Sequence, residues 1–163
     1  MGHADETFLL ELLNSTPIID GVQQDTLDRA WLRAHGHSGS NDEWQAARDA
    51  RSALQAVVRG QQPARSLSRL LDQVSYRPSV SDGGVQWRLD TPTGRTAAVR
   101  SALAWDELRR NRPGRLRPCE NPECTRFLID HSKPNNARWC SMAVCGNRMK
   151  ARRHYERTRN AEH

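Results

Sequence analysis

Cys119, Cys124, Cys140 and Cys145 are the four cysteines of this 163-residue chain, and they fall within 27 consecutive residues. Their spacing is Cys119-x4-Cys124-x15-Cys140-x4-Cys145. Two close thiol pairs separated by a hairpin-sized gap suit a tetrahedral Zn2+ site. Each pair comes from one tight turn, and the gap brings the chain back with the second pair. Four thiolates close the coordination sphere and leave no position for water, so one structural zinc is expected and no zinc chemistry. His131 and His154 lie nearby in sequence, but a closed four-cysteine site does not need them. So short a segment buries little apolar surface, and the metal should act as its core.

The elements that must carry these ligands can be read locally. Cys119-Glu120-Asn121-Pro122-Glu123-Cys124 reads as a metal knuckle, with asparagine and proline favouring the turn. Phe127 to Ile129 reads as a short strand and Ser132 to Asn136 as a turn, with Arg138-Trp139-Cys140 returning as the second strand. Ser141 is positioned as an N-cap for a helix from about Met142 to Arg157, which carries the last ligand in its first turn. That order is treble-clef-like. Met142, Cys145 and Met149 share one helix face and should pack on the hairpin with Phe127 and Trp139. Asn147, Lys150, His154 and Arg157 fall on the opposite face, with Arg153 beside them. Arg152 and Glu156, four apart, are spaced to pair with each other.

Charge is concentrated in the same segment. From Arg115 onward there are 11 Lys and Arg against 5 Asp and Glu, whereas residues 1–114 hold 14 of each sign. Four zinc-bound thiolates lower the module's charge by about 2, to roughly +4, and a polyanion is the natural partner for it. Arg126, Lys133, Arg138, Lys150, Arg153 and Arg157 are candidates to track phosphates. Asn147, Lys150, Arg153 and His154 are candidates to reach base edges of double-stranded DNA. Arg148 with Asn147 has two open readings, bracing the knuckle or touching nucleic acid, and Gly146 is spaced to allow close backbone approach. An ordinary solvated helix face is the plainer reading of such a charge run.

The first ~110 residues read as mostly helical. Phe8, Leu9, Leu12 and Leu13 keep helical spacing up to a break at Asn14-Ser15-Thr16-Pro17. Leu27, Ala30, Trp31 and Ala34 mark a second helix ended by Gly36, and a third runs from Asp42 to Gly60. Leu67, Leu70, Leu71 and Val74 suggest a fourth. Tyr76 to Val80 and Val85 to Leu89 flank Ser81-Asp82-Gly83-Gly84, a β-hairpin in which the Asp-Gly pair is expected to supply positive φ angles. An alanine-rich helix over about 96–110 follows, and Asn111-Arg112-Pro113-Gly114 reads as a linker. Trp31, Trp44 and Trp105 should be core, and His35-Gly36-His37 an exposed loop. The fold class expected is mainly α with small β-hairpins: an α-rich regulatory or assembly domain over residues 1–113, and a treble-clef-like, four-cysteine zinc finger over 114–163.

The run from Trp139-Cys140-Ser141 through Cys145-Gly146-Asn147-Arg148 to Met149-Lys150 resembles the signature of the bacterial CGNR zinc-finger family, and Cys119, Cys124, Phe127, Asp130 and Ser132 fit the same pattern. Leu12-Leu13-Asn14-Ser15, with Gly21 and Asp25, resembles the family's N-terminal ABATE domain, with Ser15 where that domain usually has threonine. The resemblance implies a DNA-binding transcriptional regulator whose four cysteines hold zinc and whose N-terminal domain regulates or assembles.

Other classes find little support. No apolar run approaches the ~18–20 residues of a membrane span. Asp5 and Glu6 stand where a secretory signal would be basic, so reduced thiols and a cytoplasmic location are expected, on the nucleoid when DNA is bound. No nucleophile elbow, P-loop, metalloprotease or dinucleotide motif is present, so no enzyme is expected. A homodimer on two half-sites, and a small-molecule effector at the N-terminal domain, are compatible with the reading. The alternatives are a zinc-stabilised protein- or RNA-interaction adaptor and a thiol redox sensor.

Overall fold

The computed structural model describes residues 3–161. Helix α1 (His3–Leu13) carries two adjacent apolar stripes, and each enters a different core. Leu9 and Leu13 pack with Ala50, Leu54, Ala98, Ala102 and Leu108, whereas Phe8 and Leu12 pack with Leu27, Leu32, Ala47 and Ala97. The partners come from α2 (Arg29–Ala34), α3 (Asn41–Val58) and α4 (Thr96–Asn111), with Leu27 from the segment that leads into α2. Asp28 and Ser40 start α2 and α3 by accepting the N–H of Trp31 at 2.6 Å and of Glu43 at 3.2 Å. Trp31, Trp44 and Trp105 are half-buried against these cores.

Several local expectations change. Residues Ala64–Leu71 form a 3-10 helix, tighter than the α-helix the leucine spacing indicates, which buries Leu67 and Leu70. His35-Gly36-His37 is not an exposed loop. His35 stacks on Trp31 at 3.8 Å, and His37 is buried against Phe8 with its Nδ1 3.4 Å from Glu43. Burial pulls the His37 pKa down, against the opposing pull of the Glu43 carboxylate. A two-residue strand pair, β1 (Ile18–Ile19) with β2 (Val22–Gln23), closes through Asp20 (φ 51°) and Gly21 (φ 78°), a turn with both central residues left-handed.

The longer hairpin pairs β3 (Ser75–Ser81) with β4 (Gly84–Asp90) in register from Ser75 opposite Asp90 to Ser81 opposite Gly84. Its positive φ falls on Gly84 (101°), not on Asp82 or Gly83, so Gly84 absorbs the left-handed residue expected in the turn. Past α4, Gly114 (φ 72°) turns the chain into β5 (Leu116–Pro118). β5 pairs antiparallel with β6 (Phe127–Ile129), with the first cysteine knuckle as their connection. The strand expected at Arg138–Cys140 does not form. β6 already has its partner upstream, and residues 138–140 run as irregular chain along the knuckle, where Arg138 O accepts the Glu120 N–H at 2.9 Å.

β6 joins the two ends of the chain. Phe127 and Ile129 are buried in the same core as Leu9, Leu13, Leu54 and Leu108. The Asn14 side chain accepts the Phe127 N–H at 2.7 Å and donates to the Phe127 carbonyl at 3.1 Å, completing that edge of β6 as another strand would. Thr125 donates to the Thr16 carbonyl at 2.8 Å, and Arg59 donates to the Thr125 carbonyl at 2.9 Å while its guanidinium lies 4.4 Å from the Phe127 ring. Ser15 is engaged in a different way, accepting from buried Arg51, which also clasps Asp25 with two hydrogen bonds at 2.6 and 2.7 Å. Asn14→Ala is expected to lower the stability of the zinc-loaded protein by about 2–4 kcal/mol, because two backbone groups lose their partner. Asn14→Asp should not rescue it, since the second carboxylate oxygen would face the Phe127 carbonyl that the amide now donates to at 3.1 Å. A urea midpoint unchanged in Asn14→Ala would show that water replaces the amide.

Candidate metal centre

The four cysteine sulfurs converge, all lying within 4.8 Å of one another. Cys140 Sγ is 3.7 Å from Cys124 Sγ and 3.7 Å from Cys145 Sγ. Thiolates about 2.3 Å from a tetrahedral zinc are separated by about 3.8 Å, so the sulfur positions fit that ion. Among the described residues this is the one group of His, Cys, Asp or Glu side chains so placed. The four cysteines hold one structural zinc.

Each ligand is delivered by a distinct local feature. Cys119 and Cys124 flank the knuckle, which is held by Cys119 N–H to the Arg126 carbonyl at 2.9 Å and Cys124 N–H to the Asn121 carbonyl at 2.9 Å. Cys140 comes from the irregular return, and its N–H points to Cys119 Sγ at 3.4 Å. Cys145 sits in a π-helical turn, Met142–Gly146, in which the Gly146 N–H reaches the Ser141 carbonyl five residues back. The α-helix α5 (Asn147–Ala161) starts after that turn, later than the position the sequence indicates. The wider turn lets the chain leave Cys140 and still bring Cys145 Sγ back to it. Ser141 is extended, and its side chain makes no capping bond.

Nearby donors tune the sulfurs. The buried Asn121 amide donates to Cys145 Sγ at 3.3 Å and accepts the Glu123 N–H at 3.1 Å. Burial alone would push the Cys145 thiol up, but the Asn121 bond and the neighbouring sulfurs pull it below its ordinary range. Cys124 and Cys140 are pushed up, first by burial and then by the negative charge of adjacent sulfurs. Four crowded thiolates therefore need a dication among them. Asn121 is a supporting residue that the sequence reading treats only as a turn former.

Asp130 organises the approach to the second pair. It accepts the N–H groups of Ser132 and Ala137, each at 2.8 Å, and Arg117 Nη2 at 2.7 Å. These bonds hold its carboxyl far below the usual range. Arg117 also donates to Ala137 O at 2.9 Å and Asn135 Oδ1 at 3.0 Å, bracing the 130–137 loop.

The candidate nucleic-acid residues separate into groups. Lys150, Arg153, His154 and Arg157 are all exposed on α5, whose residues 150–159 show no buried side chain. Asn147 is exposed and donates to Ala143 O at 3.3 Å, one turn back along the chain. Arg126 and Arg148 line an open cleft of about 220 Å3 beside the zinc, together with Cys124, Cys140, Val144 and Ile18. Lys133 is exposed on the loop. Arg138 is tied to Glu120 at 2.5 Å and lies over the Trp139 ring. Arg152 pairs with Glu156 at 3.2 Å. The inward face of the helix differs from expectation: Cys145 is buried and Met149 half-buried, but Met142 is 54% exposed. Met142 lies across Gly146, where an added Cβ would meet its sulfur at 2.7 Å and Trp139 Cδ1 at 3.2 Å. The glycine makes room for the protein's own side chains.

Residues 115–158 match the family model described as the CGNR zinc finger. No curated protein matches the chain.

Proposed function

We propose that this chain, which carries a CGNR zinc finger over residues 115–158, is a zinc-dependent DNA-binding transcriptional regulator of the cytoplasm. In this reading residues 114–163 form a treble-clef-like module that binds double-stranded DNA. Residues 1–113, which resemble an ABATE-type domain, sense an effector or assemble copies. No catalytic role is assigned. Among the described residues no helix is long and apolar enough to cross a membrane.

The observation that carries the reading is the state of α5. Six Lys and Arg against one Glu lie between Asn147 and Ala161. That helix leaves the metal site with its basic side chains uncovered over residues 150–159. A protein adaptor using this surface would not need such charge, whereas a groove of phosphates does. Zinc sets the direction of the helix by fixing Cys145 against the knuckle. Lys150, Arg153 and Arg157 then neutralise phosphates, and Asn147 and His154 are placed to reach base edges. Arg126 and Arg148, at the cleft, extend the positive surface to the helix start.

About four to six phosphate contacts give a log K against log salt slope of roughly −4 to −5. Lys150→Ala is expected to weaken binding to all duplexes alike and to reduce that slope by about 1. Titration of a salt series with several unrelated duplexes checks this. A loss confined to one sequence would place Lys150 on a base.

One observation favours a second use of the same site. Cys124 and Cys140 both line the open cleft, so a peroxide can reach them. Two thiolates would give two electrons to hydrogen peroxide, whose O–O bond breaks and which takes two protons from solvent to leave as two waters; a Cys124–Cys140 disulfide would form and zinc would leave. Zinc retention under mild peroxide would remove this reading and leave DNA binding untouched.

A further inference from the structure

The β3–β4 hairpin is two-faced. By its register, Tyr76, Pro78 and Val80 share one face with their partners Leu89, Trp87 and Val85, and the opposite face carries Ser75, Arg77, Ser79, Gln86, Arg88 and Asp90. Such alternation normally buries the apolar side. Here Tyr76 is 53% exposed, Val80 83%, Val85 64% and Trp87 65%. The described residues of this chain leave the face open except at Leu89, which is half-buried.

We propose that the face is a homodimer interface, the hairpins of two copies stacking apolar side to apolar side about a two-fold axis. Three observations select a second copy as the occupant. The exposed apolar area is on the order of 500 Å2 per copy, so a pair buries about 1,000 Å2, the size at which a specific interface begins. The face carries no charged side chain, and residues 1–114 are electrically balanced with 14 basic and 14 acidic groups. Two such domains approach without repulsion, unlike the basic finger, and an uncharged core is the mark of self-association. A two-stranded hairpin alone is at best marginally stable in water, and a second apolar sheet face supplies the packing it lacks. Pro78 has no N–H for a neighbouring strand, which favours stacking of faces over edge-to-edge pairing.

The inference is independent of DNA binding and is measured without DNA. Sedimentation velocity of the zinc-loaded full chain, from low to high micromolar concentration, should give a dimer. Hydrogen exchange should show amides of 75–90 becoming protected as concentration rises. Val80→Glu combined with Val85→Lys keeps opposite charges across the strand pair while removing the apolar face. It should weaken self-association roughly thirty-fold or more, with zinc content and circular dichroism unchanged. Trp87→Ser should act in the same direction. A wild-type monomer whose hairpin amides exchange alike at every concentration would overturn the proposal, even if the chain binds DNA. A dimer that both variants leave intact would overturn it as well.

Discussion

Chelating the zinc, or replacing Cys140 with Ser, will unfold the finger and also lower the stability of the helical part. The first effect follows from the small apolar content of residues 115–158, where Phe127, Leu128 and Ile129 are the buried aliphatic and aromatic groups apart from the ligands. Structural zinc of this kind contributes about 10–16 kcal/mol of apparent binding energy, which is folding energy for such a module. The sequence alone suggests that the N-terminal part would be indifferent to this loss. The structure gives it a stake, because Phe127 and Ile129 lie in one core with Leu9, Leu13, Leu54 and Leu108. Withdrawing a buried phenylalanine costs about 3–5 kcal/mol, so the helices should persist with a melting temperature lower by about 10 °C or more. Circular dichroism during a thermal scan, with and without chelator, reads the helices, and amide NMR reads the finger. A structured zinc-free finger, or an unchanged melting temperature, would contradict the account.

Reversing three charges on α5, with Lys150, Arg153 and Arg157 all changed to Glu, should abolish DNA binding at physiological salt while leaving zinc uptake intact. All three side chains are exposed, so the change removes attraction without disturbing the core. Three lost phosphate contacts and three added repulsions should weaken binding by at least about a thousandfold. Arg157 does donate to the Arg153 carbonyl at 3.3 Å, a bond on the helix surface whose loss matters little. Anisotropy titration of the variant against the wild type checks the result. Retained affinity in a zinc-loaded variant would move the nucleic-acid surface away from α5.

The metal centre was legible because ligand spacing is a local property: two close thiols report a turn whatever surrounds it. Helices α1 and α3 were legible from apolar period and α4 from its alanine content, with Gly60 marking the end of α3. What escaped the sequence depends on distant partners. β6 reads as a strand, but its pairing with Leu116–Pro118 in place of Arg138–Cys140 is decided by the chain that enters the knuckle lying alongside the chain that leaves it. The π turn at Met142–Gly146 answers to where Cys145 must meet Cys140, a constraint that helix propensity does not contain. His37 looks like a loop residue until Phe8 and Glu43 close around it from 29 residues upstream and 6 downstream. The same limit applied to Asn14, which stands out in sequence yet shows its work only when Phe127 arrives from 113 residues away.

Fluorescence anisotropy of the zinc-loaded chain asks whether the uncovered basic helix reads DNA. Two duplexes are compared across a salt series, one taken from the region upstream of the protein's own coding sequence and one a scrambled version. A DNA-reading helix should give at least about tenfold preference for the native duplex with a salt slope of roughly −4 to −5. No binding to either duplex at low salt would contradict it and reassign the finger to a protein partner.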